Sequence, residues 1–509
     1  MWIVKFFFPH YNKDKEKTEG DIDMKKEESL RWIEEHSDDF YAASDAIWDA
    51  PELAFTEFTA EKVQTALLEK LGFTVTRGLA GIPTAFSGRW GEGKPVIGFL
   101  GEFDALSGLS QKAGIATPSP ITEGGCGHGC GHNLLGVGSI AAAAAYKEYL
   151  SENGLPGTVI YYGCPGEEGG SGKAFMARDG VFDELDCAIS WHPGDATAIN
   201  NASSLANCQV LYRFKGVSAH AAACPHLGRS ALDGLELMNV GVQFLREHMI
   251  PEARIHYAIT NSGGASPNVV QSEAEVLYLI RSPKNSEVRE LHERVSDIAK
   301  GAALMTGTQV EEEFIKACSG LTPNNVLEEV MWKNIETIPM PEYTEEELDF
   351  AEEIRKTCPS HKDFLSRCKE AVGRVKGAKY AAGYDDSTAL FLKPIPYAPS
   401  DAVHAGSTDV GDVSCVCPVV QANVQTIAAD SPGHSWQIVA QGKSSTAHKG
   451  ELYAARIMAA TAIDLYGSPE TIEAAKAELK DRLAPDGGKY IPPIPKGVKP
   501  RSIASFGKK

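Results

Sequence analysis

Buried strands that alternate with helices dominate the first part of the chain. Continuous apolar runs predict strands, and apolar side chains at helical spacing, together with an alanine-rich run, predict helices. The predicted strands lie at 95–100, 158–162 and 188–191, and the predicted helices at 29–49, 59–71 and 134–150. This alternation is typical of an α/β domain with a mainly parallel sheet and helices on both of its faces.

The pattern changes near residue 204, where strands of antiparallel character and two long helices follow. The predicted strands are 210–215, 253–260, 274–281 and 308–316, and the predicted helices are 229–247 and 286–304. We therefore expect a smaller α+β domain, residues 204–320, inserted into the first domain.

The α/β domain should then consist of two parts, residues 24–203 and 321–485. Its second part contains a charged helical stretch at 342–375, a strand at 418–428 and a helix at 449–466. Residues 1–23 begin with an apolar run that is too short to span a bilayer, and a charged run follows it. We therefore expect a disordered extension before a natural start at Met24. Residues 486–509, rich in Pro, Gly and Lys, should form a tail.

Composition narrows the classes of partner. A formal net charge of −19 repels a phosphate backbone and argues against nucleic acid. The 11 cysteines are odd in number and scattered, which favours a reducing compartment such as the cytoplasm. The apolar runs are too short for a transmembrane helix, so a membrane is not expected as a partner.

The strongest chemical signal is a glycine-rich segment in which Cys126, His128, Cys130 and His132 lie within seven residues. Glycine permits tight turns, so several side chains can point to one spot, and Cys and His are favoured ligands of zinc-like ions. Two alternatives are a flexible loop and a closed zinc knuckle with four ligands. The knuckle has little room because a buried helix begins directly after Asn133.

Three further candidate groups follow predicted buried strands. They are the adjacent carboxylates Glu167 and Glu168, His192 in a Trp-His-Pro-Gly segment, and Asp104 in Gly-Glu-Phe-Asp. The carboxyl ends of strands are where α/β folds bind ligands. One Glu of the pair could bind a metal while its neighbour faces a water, and Asp104 could bridge ions or orient a ligand histidine. Each group alone is weak evidence for a metal site, but the three groups together predict one.

Two histidines compete as the last member of this site. His434 follows a predicted strand, whereas His448 opens a helix. We favour His434, because the other candidates also follow strands, and His448 stays an alternative.

The inserted domain carries a second set of polar residues. His220 follows a strand, Asn268 lies in a Gly-rich loop and Arg281 ends a strand. His and Asn can stabilise an oxyanion, and Arg suits a carboxylate. A single residue of these types more often has a structural role, but the three residues together are typical of a domain that covers the substrate.

The phrases Gly101–Leu106, Gly127–Gly136, Gly228–Asp233 and Gly433–Trp436 resemble the dinuclear-metal peptidase and amidohydrolase family that includes aminoacylase, carboxypeptidase G, and the hippurate and auxin-conjugate hydrolases. The resemblance covers about residues 27–470. It implies a general acid/base at Glu167, substrate contacts from His220, Asn268 and Arg281, and an inserted domain that acts as a lid and dimerises. The metal ligands that it implies are Cys130, His132, Glu168, His192 and His434.

The resemblance also implies cofactors, substrates and partners. Two divalent ions are expected, zinc or manganese, with cobalt as a further option. The expected reaction is hydrolysis of the amide bond of an N-acyl amino acid, such as an aroyl-glutamate. Cleavage of dipeptides and an accessory role in a hetero-complex are the alternatives. We expect a homodimer, with a hetero-oligomer of related subunits as a second arrangement.

The chain departs from many relatives at three places. Glu102 stands where many have His, Asn133 stands where many have Asp, and the helical insert at 342–400 is longer than in simple relatives. The first departure fits the amidohydrolase branch, in which the cysteine is a ligand.

Overall fold

A computed structural model of the protein describes residues 19–359, 362–384 and 388–501. The predicted extension 1–23 therefore lies mostly outside the described residues, and the first helix begins at Glu19. The strands are β1 Thr74–Arg77, β2 Phe86–Glu92, β3 Val96–Gly101, β4 Gly157–Gly163, β5 Cys187–Gly194, β6 Ala198–Ile199, β7 Ser203–Ser204, β8 Ala206–Lys215, β9 Arg254–Asn261, β10 Glu273–Ser282, β11 Gln309–Cys318, β12 Val403–His404 and β13 Val419–Gln425.

Helices account for about half of the remaining described residues. They are α1 Glu19–Glu35, α2 Ser37–Trp48, α3 Phe58–Lys70, α4 His132–Glu152, α5 Gly172–Arg178, α6 Ala231–Leu245, α7 Asn285–Thr306, α8 Asn325–Thr337, α9 Glu345–Arg355, α10 Phe364–Val372, α11 Arg374–Tyr380, α12 Val410–Ser414, α13 Trp436–Gln441, α14 Ser445–Gly467 and α15 Pro469–Leu483. Within the described part of the chain, we find no helix with both the length and the apolar character needed to cross a lipid bilayer.

The larger sheet has the strand order β1-β2-β4-β3-β5-β13-β6. Its four central strands, β4, β3, β5 and β13, are parallel, and the outer pairings are antiparallel. Successive side chains point to opposite faces, so Phe99 packs in the core on the side of α4 and α14, while Leu100 packs in the core that contains α5 and α12. The expected α/β class, with helices on both faces, is confirmed.

The inserted domain has an antiparallel sheet of order β11-β8-β10-β9. The helices α6 and α7 pack on one face, where Tyr212 and Ile280 meet Met238 and Val295 in a buried core. The strand β9 forms one edge of this sheet, and most of its side chains are exposed. The elements lie close to their predicted positions, and the expected α+β insertion is thus present in the fold.

Several elements differ from the sequence predictions. The helix expected at 29–49 is two helices, because the chain breaks at His36 between α1 and α2. The charged stretch 342–375 is likewise divided, and Pro359 lies between α9 and α10. The antiparallel strands β1 and β2 at one side of the larger sheet were not predicted, since they lack a continuous apolar run.

The tail that follows α15 packs on the molecule. Ile494 is buried, and the Tyr490 hydroxyl donates to Asp412 Oδ1 at 2.8 Å. Arg178 Nη1 donates to the carbonyl of Val498 at 2.8 Å. The described part of the tail therefore covers the α5 side of the larger sheet.

Candidate metal centre

The parallel arrangement of four strands brings the candidate residues to one edge of the larger sheet. The segments after β3 and β4 carry Asp104 and the pair Glu167 and Glu168, His192 lies near the end of β5, and His434 follows β13. Since parallel strands end at the same edge, residues far apart in sequence become neighbours there.

A tight turn directs Cys130 and His132 to this edge. Gly131 has a φ of 76°, and a Cβ at this position would lie 2.8 Å from the Pro193 side chain, so glycine is required. The Cys130 thiol Sγ lies 3.4 Å from Nε2 of His192. The rings of His132 and His192 are nearly perpendicular, with centroids 5.7 Å apart.

Asp104 orients both His132 and the carboxylate pair. Its Oδ1 lies 3.2 Å from Nδ1 of His132, which favours the tautomer with a proton on Nδ1 and leaves Nε2 available for a metal. The same carboxylate accepts the backbone N–H of Glu167 at 3.2 Å and of Glu168 at 3.0 Å. Asp104 is thus the contact that joins the β3 and β4 segments to α4.

Glu168 and His434 meet on the solvent side of the cluster. Oε1 of Glu168 lies 3.1 Å from Nε2 of His434, whose side chain is 55% exposed. Burial opposes ionisation of Glu168, but the hydrogen bond from His434 and the charges around it lower its pKa to about 2. Glu168 is therefore an anion in this environment, as a metal ligand must be.

The donor atoms form three overlapping groups that could hold a metal. Within each group the donors all lie within 4.8 Å of one another, and the groups are Cys130, His132 and His192; Cys130, Glu168 and His434; and Glu102, His132 and Glu167. Within these groups, Nε2 of His132 lies 3.2 Å from Oε2 of Glu102, and Oε1 of Glu168 lies 3.1 Å from Nε2 of His434. Thiol, imidazole and carboxylate groups whose donor atoms lie this close together fit divalent ions.

Glu167 belongs to the third of these groups and is half-buried. Burial raises its pKa, and the negative charges of Glu102 and Glu168 raise it further. A carboxyl group with a raised pKa can both take up and release a proton near neutral pH.

Three buried residues of this region were not predicted as members of the site. Lys173 on α5 is fully buried and forms ion pairs with Glu102 at 2.7 Å and with Asp409 at 2.5 Å. Glu102 also lies 3.2 Å from Nε2 of His132. Glu102 could have been found from its position after β3, whereas Lys173 and Asp409 have no local sequence signal.

The histidines 128 and 448 lie in other environments. Nε2 of His128 is 3.1 Å from the carbonyl of Ile47, and burial lowers its pKa to about 3. His448 is in the first turn of α14, pairs with Asp45 at 3.0 Å and stacks on Tyr41. Among the described residues, the metal-type groups include His434 and not His448.

The residues of the expected lid form their own contacts in the inserted domain. His220 Nδ1 accepts the backbone N–H of Ala223 at 3.1 Å, and Ala221 donates to the carbonyl of Asn268 at 3.0 Å. Arg281 donates to Ser407 Oγ at 2.9 Å. In the described ranges, neither a hydrogen bond nor an ion pair connects these three residues to the metal-type groups.

A cluster of thiol, imidazole and carboxylate donors at the carboxyl edge of a parallel sheet, with an inserted domain beside it, is typical of metallohydrolases. Residues 98–478 match the model of Peptidase family M20/M25/M40. The chain therefore belongs to this family, as its motifs predicted, and it is a hydrolase that acts on amide bonds.

Similar proteins cover nearly the whole chain. A subunit of the p-aminobenzoyl-glutamate hydrolase of Escherichia coli (strain K12) is 50% identical over 460 residues, which are 90% of this chain and 95% of that protein. The Xaa-Arg dipeptidase of Mus musculus is 28% identical over 477 residues, which are 91% of this chain and 94% of that protein. A solved dinuclear metal-binding peptidase of the M20 family from Bacillus subtilis aligns with a TM-score of 0.50 at 14% identity, over 85% of this chain and 99% of that chain.

Proposed function

We propose that the protein hydrolyses the amide bond of an N-acyl amino acid, with p-aminobenzoyl-glutamate as the first substrate to test. The observation that carries this proposal is Glu167, a half-buried carboxyl group that lies with Glu102 and His132 in one of the three metal-type groups. The 50% identity to the E. coli p-aminobenzoyl-glutamate hydrolase chain, over 90% of this chain, supports the aroyl-glutamate substrate.

We propose two divalent ions as cofactors, bound by Cys130, His132, Glu168, His192 and His434. The proximity of these donors supports this set, and Glu102 is a further candidate because it lies in the group with His132 and Glu167. The thiol of Cys130 favours zinc, with manganese and cobalt as alternatives. When bound, such ions lower the pKa of a water molecule towards neutrality and polarise a carbonyl oxygen.

Glu167 would act as the general base and then as the general acid. Its carboxylate takes the proton of the attacking water and gives it to the nitrogen of the leaving amine. The neighbouring backbone is fixed by Asp104, which accepts the N–H groups of Glu167 and Glu168. This anchoring would keep the carboxylate within reach of both proton positions.

The inserted domain would supply the substrate contacts. His220 would donate to the oxygen of the scissile carbonyl, Asn268 would support it, and Arg281 would bind the carboxylate of the substrate. Nε of Arg281 is buried without a hydrogen-bond partner, which leaves a donor for such a carboxylate. An anionic substrate needs a local cation of this kind, because the protein carries a net charge of −19.

A substrate panel tests this function. The purified chain is stripped of metal, reloaded with Zn²⁺, Mn²⁺ or Co²⁺, and assayed with p-aminobenzoyl-glutamate, hippurate and Xaa-Arg dipeptides. We expect the highest kcat/KM with p-aminobenzoyl-glutamate. Preference for the dipeptides would instead support the second candidate, a dipeptidase, which the 28% identity to the Xaa-Arg dipeptidase favours. Absence of turnover by the chain alone would support an accessory role in a hetero-complex.

We infer a homodimer that forms through the inserted domain. Apolar side chains are exposed there: Phe244 and Val240 on α6, and Tyr257 and Ile259 on the edge strand β9. Unpaired edges and apolar patches of this kind favour association. The E. coli relative is one subunit of its enzyme, which leaves a hetero-oligomer with a related chain as the alternative.

Light scattering coupled to gel filtration tests the dimer. We expect the mass of two chains for the wild type and of one chain for Phe244→Glu. Phe58→Glu is the matched control, because Phe58 is 55% exposed but lies on α3 in the other domain. A monomeric wild type would contradict the homodimer.

We also infer a cytoplasmic location, which rests on the use of cysteine. An odd number of scattered cysteines suits a reducing compartment, and a metal-binding thiol such as Cys130 must stay reduced. Fractionation of cells that express the tagged protein tests this location.

A further inference from the structure

Two arginines of the helical insert form a partly buried ion-pair cluster with two carboxylates that lie close in sequence to His192 and His434. Arg367 on α10 contacts Asp195 through Nη1 at 3.0 Å and through Nη2 at 2.6 Å. Its Nη2 also lies 3.1 Å from Oδ1 of Asp430, and Arg355 at the end of α9 donates from Nε to Oδ2 of Asp430 at 3.1 Å. We call these four residues the arginine clamp.

The two carboxylates of the clamp belong to the segments that carry the metal-site histidines. Asp195 is three residues after His192, and Asp430 is four residues before His434. The backbone N–H of Asp430 also donates to Oδ2 of Asp195 at 2.9 Å. The clamp therefore joins the segment after β5 to the segment after β13, independently of the pairing between these strands.

The segment that carries His434 needs such support. Asp430 and His434 have φ values of 69° and 53°, in the left-handed region that L-residues rarely adopt. Such conformations persist only where surrounding contacts hold them. The Asp430 side chain is only 3% exposed, whereas that of His434 is 55% exposed. The clamp thus holds the start of the segment, while its far end reaches Glu168 with little packing.

We propose that Arg367 and Arg355 are positioning residues that fix His192 and His434 relative to each other, so that metal affinity depends on the helical insert. The inference rests on the metal site proposed above. Guanidinium suits this role because its planar fork can bind two carboxylates at once. Loss of a partner that orients a ligand typically weakens metal binding by about 10- to 100-fold.

The decisive variant is Arg367→Lys, which keeps the positive charge but loses the planar guanidinium group that contacts two carboxylates. The matched control is Arg213→Lys, since Arg213 also bridges two carboxylates, Glu275 at 3.0 Å and Glu313 at 2.5 Å, on the sheet of the inserted domain. Metal-free proteins are titrated with Co²⁺, followed by its visible absorption, and with Zn²⁺ against a chromogenic chelator. We expect the Kd of at least one ion to rise about 10-fold or more for Arg367→Lys and to stay unchanged for Arg213→Lys.

A second variant keeps the test valid if Arg367→Lys fails to fold. Asp430→Asn removes the charge that both arginines bind, and Asn tolerates the left-handed backbone at this position. We expect weaker metal binding and an altered Co²⁺ spectrum, while the melting temperature of the metal-free variant stays within a few degrees of that of Arg213→Lys. If folded Arg367→Lys and Asp430→Asn bound metal with the affinity of the wild type, this would overturn the inference about the arginines, while the proposed metal site would still stand. A wild type that binds neither ion would overturn both proposals.

Discussion

At the scale of single residues, Glu167 combines the properties of an acid/base catalyst. It shares a metal-type group with Glu102 and His132, and its pKa is raised by burial and by the neighbouring carboxylates Glu102 and Glu168. Its neighbour Glu168 has a pKa lowered to about 2, so the two adjacent carboxyl groups differ in proton affinity. This difference is the physical basis for assigning them different roles.

Replacement of Glu167 should separate catalysis from metal binding. We expect Glu167→Gln to lower kcat by about 10²- to 10⁴-fold, because proton transfer is lost, while bound metal stays unchanged. Steady-state kinetics and elemental analysis measure the two effects. The control is Glu123→Gln, an exposed residue of the glycine-rich segment before α4. Retention of the original rate by Glu167→Gln would rule out the proposed base.

Lys173 is a fully buried cation that forms ion pairs with both Glu102 and Asp409. Removal of one partner leaves buried charges without compensation, which costs about 3–5 kcal/mol. We therefore expect Lys173→Met to lower the free energy of unfolding by that amount in urea titrations with EDTA present. The control is Lys476→Met, whose ion pair with Asp186 is partly exposed, and where less than about 1 kcal/mol is expected. Equal effects of both variants would contradict this explanation.

At the scale of elements, α8 carries a buried carboxyl group that makes stability depend on pH. Glu328 is 1% exposed and accepts the hydroxyl of Tyr397 at 2.9 Å. Burial raises the pKa of Glu328 to about 7. The folded state therefore holds this proton more tightly than the unfolded state, in which the pKa is about 4.5.

The sign of the pH dependence follows from linkage. The contribution of Glu328 is fully present below pH 4.5 and is lost as pH rises through about 7, by roughly 3 kcal/mol at most. We expect Glu328→Gln to reduce the loss of unfolding free energy between pH 5 and pH 8, as measured by urea denaturation. Glu329→Gln, an exposed neighbour on α8, should keep the wild-type difference. An unchanged pH dependence in Glu328→Gln would contradict the raised pKa.

Elements were predictable where their hydrophobic period is strong. The buried strands β3, β4 and β5 and the apolar helix α4 lie within a few residues of their predicted bounds. The edge strand β1 and its neighbour β2 were missed because most of their side chains are exposed or half-buried, so no continuous run of apolar residues marks these strands. The break at His36 was also missed, because apolar spacing continues across it.

At the scale of the whole molecule, metal binding should stabilise the fold, since its ligands come from four separate segments. Ligand at 100 times its Kd stabilises a native state by about 2.7 kcal/mol. We expect the melting temperature to fall when EDTA replaces Zn²⁺, as measured by calorimetry. Cys130→Ala should show a smaller difference between the two conditions. If the melting temperature of the wild type were the same with EDTA as with Zn²⁺, this would contradict the proposed ligands.

The sequence by itself determined the local chemistry and the fold class. The Gly-rich segment around Cys130, the pair Glu167 and Glu168, and His192 could be identified because each follows a recognisable strand or opens a recognisable helix. Parallel strands end at one edge, so their convergence follows from the strand pattern alone. The choice between His434 and His448 also rested on this argument.

Only the tertiary structure decided which charges meet at long range. Lys173 contacts Asp409 across 236 positions of sequence, and Arg367 contacts Asp195 across 172. A lone Lys or Arg in a helix gives no signal of its partner, because these contacts depend on how α5 and the helical insert pack against the sheet. Periodicity determines which face of an element is buried, but the packing of whole elements determines which charged groups share that burial.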